Sequence, residues 1–381
     1  MKFVKSNIKQ YINANLNSDL HSLLLKKSPF PEVSMQELVQ QIKGRKVAEK
    51  KFPFLNKENI IFPPNLNLEQ ASSQDTAEYK AQFFQGEKFI DLTCGFGIDA
   101  FFLSQNFSEI TLIEQNSELL EIVKHNWEVL GREANFINQK LEHFLENNTE
   151  RFNLIYLDPA RRDNNNRKVF LLEDLSPNLI EIQEQLSEIS DEILIKLSPL
   201  IDLQHLVSSL QNISNIWIIA VKNEVKEVLV HIKKSEIEVE ISCVNLQSKE
   251  GEFNFKLNDE KNCKSEFSEP ENYIYIPNNS VLKSGAFNLI SEKFQLKKLH
   301  PNSHLYTSEN LINEFSGRIF EAAEINPKEI KKGEKYNIIC KNYPLKPEEI
   351  KKKYKIKDGG ENYLIFSQSQ KNKHILKAKL L

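Results

Sequence analysis

The sequence predicts an α/β fold: a mostly parallel sheet covered by helices on both faces, a helical region ahead of it and small α+β domains behind it. Three observations predict this. Short apolar runs alternate with amphipathic runs from residue 88 to residue 221, the pattern of strands joined by helical crossovers. One such run, Lys88-Phe89-Ile90-Asp91-Leu92, leads through a turn with two glycines into an amphipathic segment, Ala100 to Asn106, which reads as strand, turn and helix. Charge is also unevenly spread, because residues 331–381 carry 14 lysines against 5 acids in a chain whose net charge is −3.

In chain order, residues 4–28 and 34–50 read as helices, with Ile8, Tyr11, Ile12, Leu16, Leu20, Leu23 and Leu24 three and four apart. Prolines between Pro53 and Pro64 end this helical region, residues 1–67. The central domain is expected over 68–258, with strands at 88–92, 110–114, 135–138, 153–158, 192–197 and 216–221. Two more, Glu236–Ile241 and Glu252–Leu257, are expected as an antiparallel edge pair. A polar stretch at 258–272 separates this domain from a small one over 271–312 with βαβ proportions. Residues 313–381 form a last, basic domain of strands and lysine-rich helices.

Composition removes several classes of function. A chain of 381 residues with 40% hydrophobic content supports two or three cored domains. It has no run of 18 apolar residues and no apolar signal core at Met1–Asn7, so a cytoplasmic protein is expected. Cys94, Cys243, Cys263 and Cys340 are far apart, and the histidines show no ligand spacing beyond His300 and His304, which Pro301 keeps off a helix. Reduced thiols and no metal are expected.

The turn after the first strand carries the chemistry. Gly95 and Gly97 permit positive φ and let a ligand approach the main chain, and the following helix start offers unpaired N–H groups. Gly95-x-Gly97-x-x-Ala100 satisfies a dinucleotide fingerprint as well. Asp91 would repel a pyrophosphate and attract an ammonium. Glu114, ending the second strand, suits ribose hydroxyls in either cofactor class and does not discriminate.

The fourth strand ends in Asp158-Pro159-Ala160-Arg161, which has no role in hydride transfer. With DLTCGFGID, Glu114 and DPAR in this order and spacing, residues 88–162 resemble the class I S-adenosylmethionine-dependent methyltransferases, whose sheet is Rossmann-like. The segment QASSQDTAEYKAQ, residues 70–82, is similar to the one preceding the first strand in trimethylguanosine-synthase-type enzymes. Together with LDPARRD, LIKLSPLIDL, HLYTSE, FSGRIF and IKDGGENYLIF, these motifs resemble a bacterial methyltransferase group with a ferredoxin-like insert and a C-terminal THUMP-like domain. The resemblance covers roughly residues 60–381.

That resemblance implies S-adenosylmethionine as cofactor, held by Ser73, Thr76, Asp91, Thr93, Gly95, Gly97, Asp99, Glu114 and Gln139. Asn138 and Gln139 stand where many members of the class have an acid at the adenine. It implies Asp158 and Pro159 as the catalytic pair, since enzymes with Asp/Asn-Pro-Pro-aromatic accept hydrogen bonds from a target amine there. Alanine and Arg161 replace the second proline and the aromatic residue, which removes base stacking at this position. THUMP domains bind structured RNA, so tRNA or rRNA is the implied partner, methylated at a base nitrogen.

Each remaining candidate has two readings. Arg161 and Arg162 suit a phosphate, or a rim ion pair with Asp163 or Glu173. Lys196 contacts substrate or snorkels from a strand end. Cys94 packs in a tight turn rather than acting as a nucleophile. Lys351–Lys357 contacts RNA phosphates or forms a solvated face. The competing functions are a nicotinamide oxidoreductase and a non-catalytic RNA-binding protein on a methyltransferase scaffold.

Overall fold

The computed structural model describes residues 2–161, 171–234 and 238–381, with only the backbone at Lys2 and Arg161. Arg162 and Asp163 lie outside the described residues, as do Glu236 and Ile237 of the expected edge strand. The chain divides into two compact units, Met1–Ile213 with Leu229–Ser235, and Ser214–Val228 with Glu236–Leu381.

The first unit opens with helix α1 (Ser6–Ala14), a short helix Leu20–Leu24 and helix α2 (Met35–Lys51). One helix over 4–28 was expected. Instead Asn15 ends α1 and the Asp19 carboxylate accepts the Ser22 N–H to start the next helix, because Asp and Asn bind their own backbone more readily than they continue a helix. Ile8, Ile12, Leu23, Leu38 and Ile42 form the shared core. Ser34 and Glu37 close a capping box at the start of α2.

The extended segment Ile60–Phe62 is held between two side-chain amides. Asn126 gives Ile61 both hydrogen bonds, at 2.9 and 2.8 Å, and Gln41 does the same for Phe62, at 2.9 and 2.8 Å. Each amide therefore replaces a neighbouring strand for a buried backbone. Gly44 of α2 makes the approach possible, since a Cβ there would lie 2.2 Å from the Phe62 Cβ.

Helix α3 (Gln74–Ala81) leads into the sheet, with strands β1 (Gly86–Asp91), β2 (Phe107–Ile113), β3 (Asn135–Ile137) and β4 (Leu154–Leu157). Helix α4 (Ile98–Leu103) joins β1 to β2, and α5 (Ser117–Val129) joins β2 to β3. A short antiparallel pair follows, β5 (Ala160–Arg161) with β6 (Leu175–Ser176), and then β7 (Glu192–Leu197). The order β7-β4-β1-β2-β3 is parallel throughout. All of β4 and nearly all of β7 are buried, as strands covered on both faces must be. The change of winding direction between β1 and β4 places the strand ends Asp91 and Asp158 side by side, where open parallel sheets bind ligands.

Strand β8 (Ile213–Val221) turns at Lys222 and Asn223, both at positive φ, into β9 (Glu224–Lys233), whose residues from Leu229 onward belong to the first unit. This hairpin was not among the expected elements. Strand β10 (Glu240–Leu246) pairs in parallel with β8 and antiparallel with β11 (Phe253–Lys256). The expected antiparallel edge pair is present, with its first strand at Glu240–Leu246.

The stretch after β11 is anchored, since the Glu260 carboxylate accepts the N–H groups of Asn288 and Leu289 at 2.9 and 2.7 Å. Strands β12 (Tyr273–Pro277), β13 (Lys297–Lys298), β14 (Tyr306–Ser308), β15 (Gly317–Glu324), β16 (Lys335–Cys340), β17 (Lys357–Gln368) and β18 (Lys373–Leu380) form one sheet, ordered β13-β14-β12-β15-β18-β17-β16. Since β12 pairs with β15 along its length, residues 273–308 and 317–380 share that sheet. Helix α6 (Pro347–Tyr354) buries Ile350 against Leu364 and Phe366. The first lysine-rich helix expected after Phe320 is a single turn, Pro327–Glu329.

Candidate active site

A cleft of about 360 Å³ opens at the carboxyl ends of β1, β2, β4 and β7, entirely within the first unit. Its floor is the turn after β1. Gly97 has φ +73, and a Cβ there would meet Val123 Cγ1 at 2.9 Å and Trp127 Nε1 at 3.2 Å, so α4 and α5 pack on the bare main chain. Gly95 has φ +54, with the Thr93 carbonyl oxygen, 3.7 Å away, as the nearest atom to a Cβ. One glycine serves packing, the other leaves the main chain open to the cleft.

Asp91 is 1% exposed. Its Oδ1 accepts the Thr93 N–H at 2.9 Å, and the Thr93 hydroxyl in turn accepts the Asp158 N–H at 2.7 Å. Thr93 therefore ties the ends of β1 and β4 together. Burial, with Asp99, Asp158 and Glu114 nearby, raises the Asp91 carboxyl well above its ordinary range. The same burial raises the Cys94 thiol, as its packing role requires.

Glu114 takes the Gly95 N–H on one oxygen at 2.9 Å and the Asn116 N–H on the other at 2.8 Å. It fastens the turn after β1 to the start of α5. Gln139 also lines the cleft and bonds His143, while Asn138 donates to the Glu114 carbonyl at 2.8 Å.

The deepest wall holds a charge cluster centred on Asp99, at the first turn of α4. Its Oδ2 accepts from Ser72 Oγ and Tyr156 Oη, both at 2.7 Å, and lies 3.3 Å from Lys196 Nζ. Lys80 Nζ, fully enclosed, is 2.6 Å from Oδ1. Burial alone would raise this carboxyl; Lys80 and Lys196 outweigh it and hold Asp99 well below the usual range. Lys196 also forms an ion pair with Asp158. Burial raises Asp158 even so, against the pull of Lys196.

The cleft thus brings together Asp91, Thr93, Gly95, Gly97, Asp99, Glu114, Gln139, Asp158 and Lys196 of the expected set. It does not bring in Ser73 and Thr76. Ser73 caps α3 by accepting the Thr76 N–H, and Thr76 is buried. The serine facing the cleft is Ser72, one position earlier. Pro159 is buried behind Asp158. Lys80, Ser72 and Tyr156 were missed, although Lys80 and Ser72 sit in the motif SSQDTAEYKA; a lysine on the same face of α3 as Thr76 and Ala77 was the available signal. Among the described residues no group of three His, Cys, Asp or Glu side chains forms a metal cluster, and no helix is long and apolar enough to cross a membrane.

This sheet order, with a glycine turn after β1 and acids ending β1, β2 and β4, defines a Rossmann-like class I methyltransferase. The comparisons with known proteins name the family. A protein from Porphyromonas gingivalis W83 assigned as a methyltransferase is 30% identical, with 98% of this chain and 97% of that one covered and a TM-score of 0.84. The chain belongs to that protein's methyltransferase family. Residues 74–192 match the family model for conserved hypothetical protein 95, 273–315 a ferredoxin-like domain and 317–378 a THUMP domain-like family. An rRNA methylase from Streptococcus thermophilus is 15% identical over 42% of this chain and 95% of its own, with a TM-score of 0.32. No curated protein sequence matches.

Proposed function

We propose that the enzyme uses S-adenosylmethionine to methylate a base nitrogen of RNA, tRNA or rRNA, with Asp158 as the residue that meets the acceptor. The observation that carries this reading is the convergence of Asp91, Gly95, Glu114 and Asp158 on one cleft. The residues fit the cofactor. The volume lies within the range of small-molecule sites, Gly95 leaves the main chain approachable, and the acids outnumber the lysines where a cationic ligand would bind.

The bound cofactor would supply a methyl group already activated on a sulfonium. Asp91 would attract its ammonium, and the Gly95 and Gly97 turn would meet its methionine portion. Glu114 keeps further lone pairs for the ribose hydroxyls, and Gln139 faces the adenine side. Asp158 and the Pro159 carbonyl would accept hydrogen bonds from the acceptor nitrogen and hold it in line for transfer. Arg161 and Arg162, next in the sequence, would be partners for phosphate.

The match of residues 317–378 to a THUMP domain-like family and the excess of lysine over 331–381 support an RNA partner. Lys351 is taken up by Glu348 and Asp358, whereas Lys352, Lys353, Lys355 and Lys357 are exposed. The proposed domains are residues 1–67, 68–258, 271–312 and 313–381.

Calorimetry with S-adenosylmethionine, S-adenosylhomocysteine and NAD tests the cofactor, with wild type and Asp91→Ala compared. Transfer of labelled methyl groups to RNA tests the acceptor. Binding of NAD alone, or labelling of protein in place of RNA, would refute the corresponding half of the proposal.

A further inference from the structure

Lys196 ends β7, where a lysine ordinarily turns its ammonium out to solvent. Here it turns inward, and its side chain is only 10% exposed. Its Nζ lies 3.2 Å from Ser72 Oγ and 3.3 Å from Asp99 Oδ2, and it pairs with Asp158 through Oδ2. The two carboxylates differ in setting. Asp99 is enclosed, with a 9% exposed side chain, whereas that of Asp158 is 37% exposed on the open side of the cleft.

Lys80 decides how Lys196 divides its charge. Lying 2.6 Å from Asp99 Oδ1 and fully buried, Lys80 neutralises Asp99 from behind, helped by hydrogen bonds from Ser72 and Tyr156. Enclosed charges must be matched, and this match leaves the Lys196 ammonium to balance Asp158.

We infer that Lys196, fixed from behind by Asp99 and Ser72, is a positioning residue whose ammonium holds the Asp158 carboxylate ionised and in one orientation toward the methyl acceptor. The inference rests on the proposed role of Asp158, and it gives Lys196 a task other than binding substrate.

Among the described residues, the charged groups facing Asp158 are Lys196, Asp99, Lys80 and Asp91. Burial raises its carboxyl and Lys196 is the strongest opposing influence. Removing the lysine charge therefore moves the Asp158 titration to higher pH.

The test uses the full chain with aspartate carboxyl carbons labelled for NMR, the Asp158 signal being identified by its loss in Asp158→Asn. The expected result is a titration midpoint displaced upward in Lys196→Met and returned toward wild type in Lys196→Arg. An unmoved midpoint in Lys196→Met overturns the inference. If that variant does not fold, as judged by near-ultraviolet circular dichroism, Lys196→Gln keeps hydrogen bonding without the charge and is held to the same criterion. In the methyl-transfer assay Lys196→Met should lower kcat by on the order of 10- to 100-fold, as misplacement of a reacting group does, with the KM for S-adenosylmethionine unchanged; an unchanged kcat overturns the positioning role. Failure of the parent reading looks different. Asp158→Ala would then transfer methyl groups at the wild-type rate, whatever the titrations give, and the positioning role would fall with it.

Discussion

Lys80 and Asp99 meet at 2.6 Å with the lysine fully enclosed, and this pair sets the electrostatics of the cleft's inner wall. One comes from the last turn of α3, the other from the first turn of α4. A carboxylate at that end of a helix is favoured by the backbone dipoles, and here it is also neutralised, so the deepest charge in the site is met before any ligand enters.

Breaking this pair from one side should cost far more than losing a surface ion pair. Lys80→Met leaves Asp99 to Lys196 alone, and loss of one partner from a buried pair costs about 3–5 kcal/mol. Chemical denaturation at neutral pH should report that loss, and a change below about 1 kcal/mol, typical of exposed pairs, would show that the pair is not buried in solution.

The acid stability of the protein should depend on Asp99. Its folded carboxyl lies below the ordinary unfolded range, so its contribution to stability is present above about pH 4 and is lost as pH falls through the folded value. Denaturation curves for wild type and Asp99→Asn should therefore differ most at neutral pH and converge in acid.

Asp91 has the opposite sign. Its folded carboxyl is raised by burial, so stability is present below about pH 4 and is lost as pH rises through the folded value. Asp91→Asn should be more stable than wild type at pH 7, with the gain shrinking in acid, and should bind S-adenosylmethionine at least about 10-fold more weakly. Thermal unfolding and calorimetry on the same preparation would check both; a variant that loses both stability and binding would contradict the assignment.

The two glycines of the turn should respond differently to alanine. At Gly97 a Cβ meets Val123 and Trp127 in addition to positive φ, and a loss of about 2–4 kcal/mol is expected from strain and overpacking together. At Gly95 the space is open and φ alone resists, which limits the cost to about 1–2 kcal/mol while placing a methyl group toward the cleft. Gly97→Ala should show the larger fall in melting temperature, and Gly95→Ala the larger fall in cofactor affinity relative to its stability loss.

Asn126→Leu should destabilise the first unit although it lies outside the cleft. It leaves the Ile61 N–H and carbonyl without their partners, at about 1–3 kcal/mol for each buried group. Asn126→Asp, which keeps the acceptor but sets a buried carboxylate oxygen against the Ile61 carbonyl, should cost at least as much at neutral pH, as equilibrium unfolding would show.

The sequence alone determined the parallel sheet and the acids at its strand ends, because strand periodicity, paired glycines and a strand-terminal carboxylate are local features. Asp91, Gly95, Glu114 and Asp158 were legible for that reason. The resemblance pointed to Ser73 and Thr76, but Ser73 is spent on capping α3, and Ser72 is the one left to face the cleft. The β8–β9 hairpin was missed because Lys222 and Asn223 carry no glycine to mark the turn. Only the tertiary structure decided where the charges would meet. Helical spacing puts Lys80 on the inner face of α3, and the strand pattern puts Tyr156 and Lys196 inside the sheet layers, but neither says which carboxylate they reach. Burying an ammonium requires partners from several segments at once, and Asp99 is where α3, α4, β4 and β7 converge.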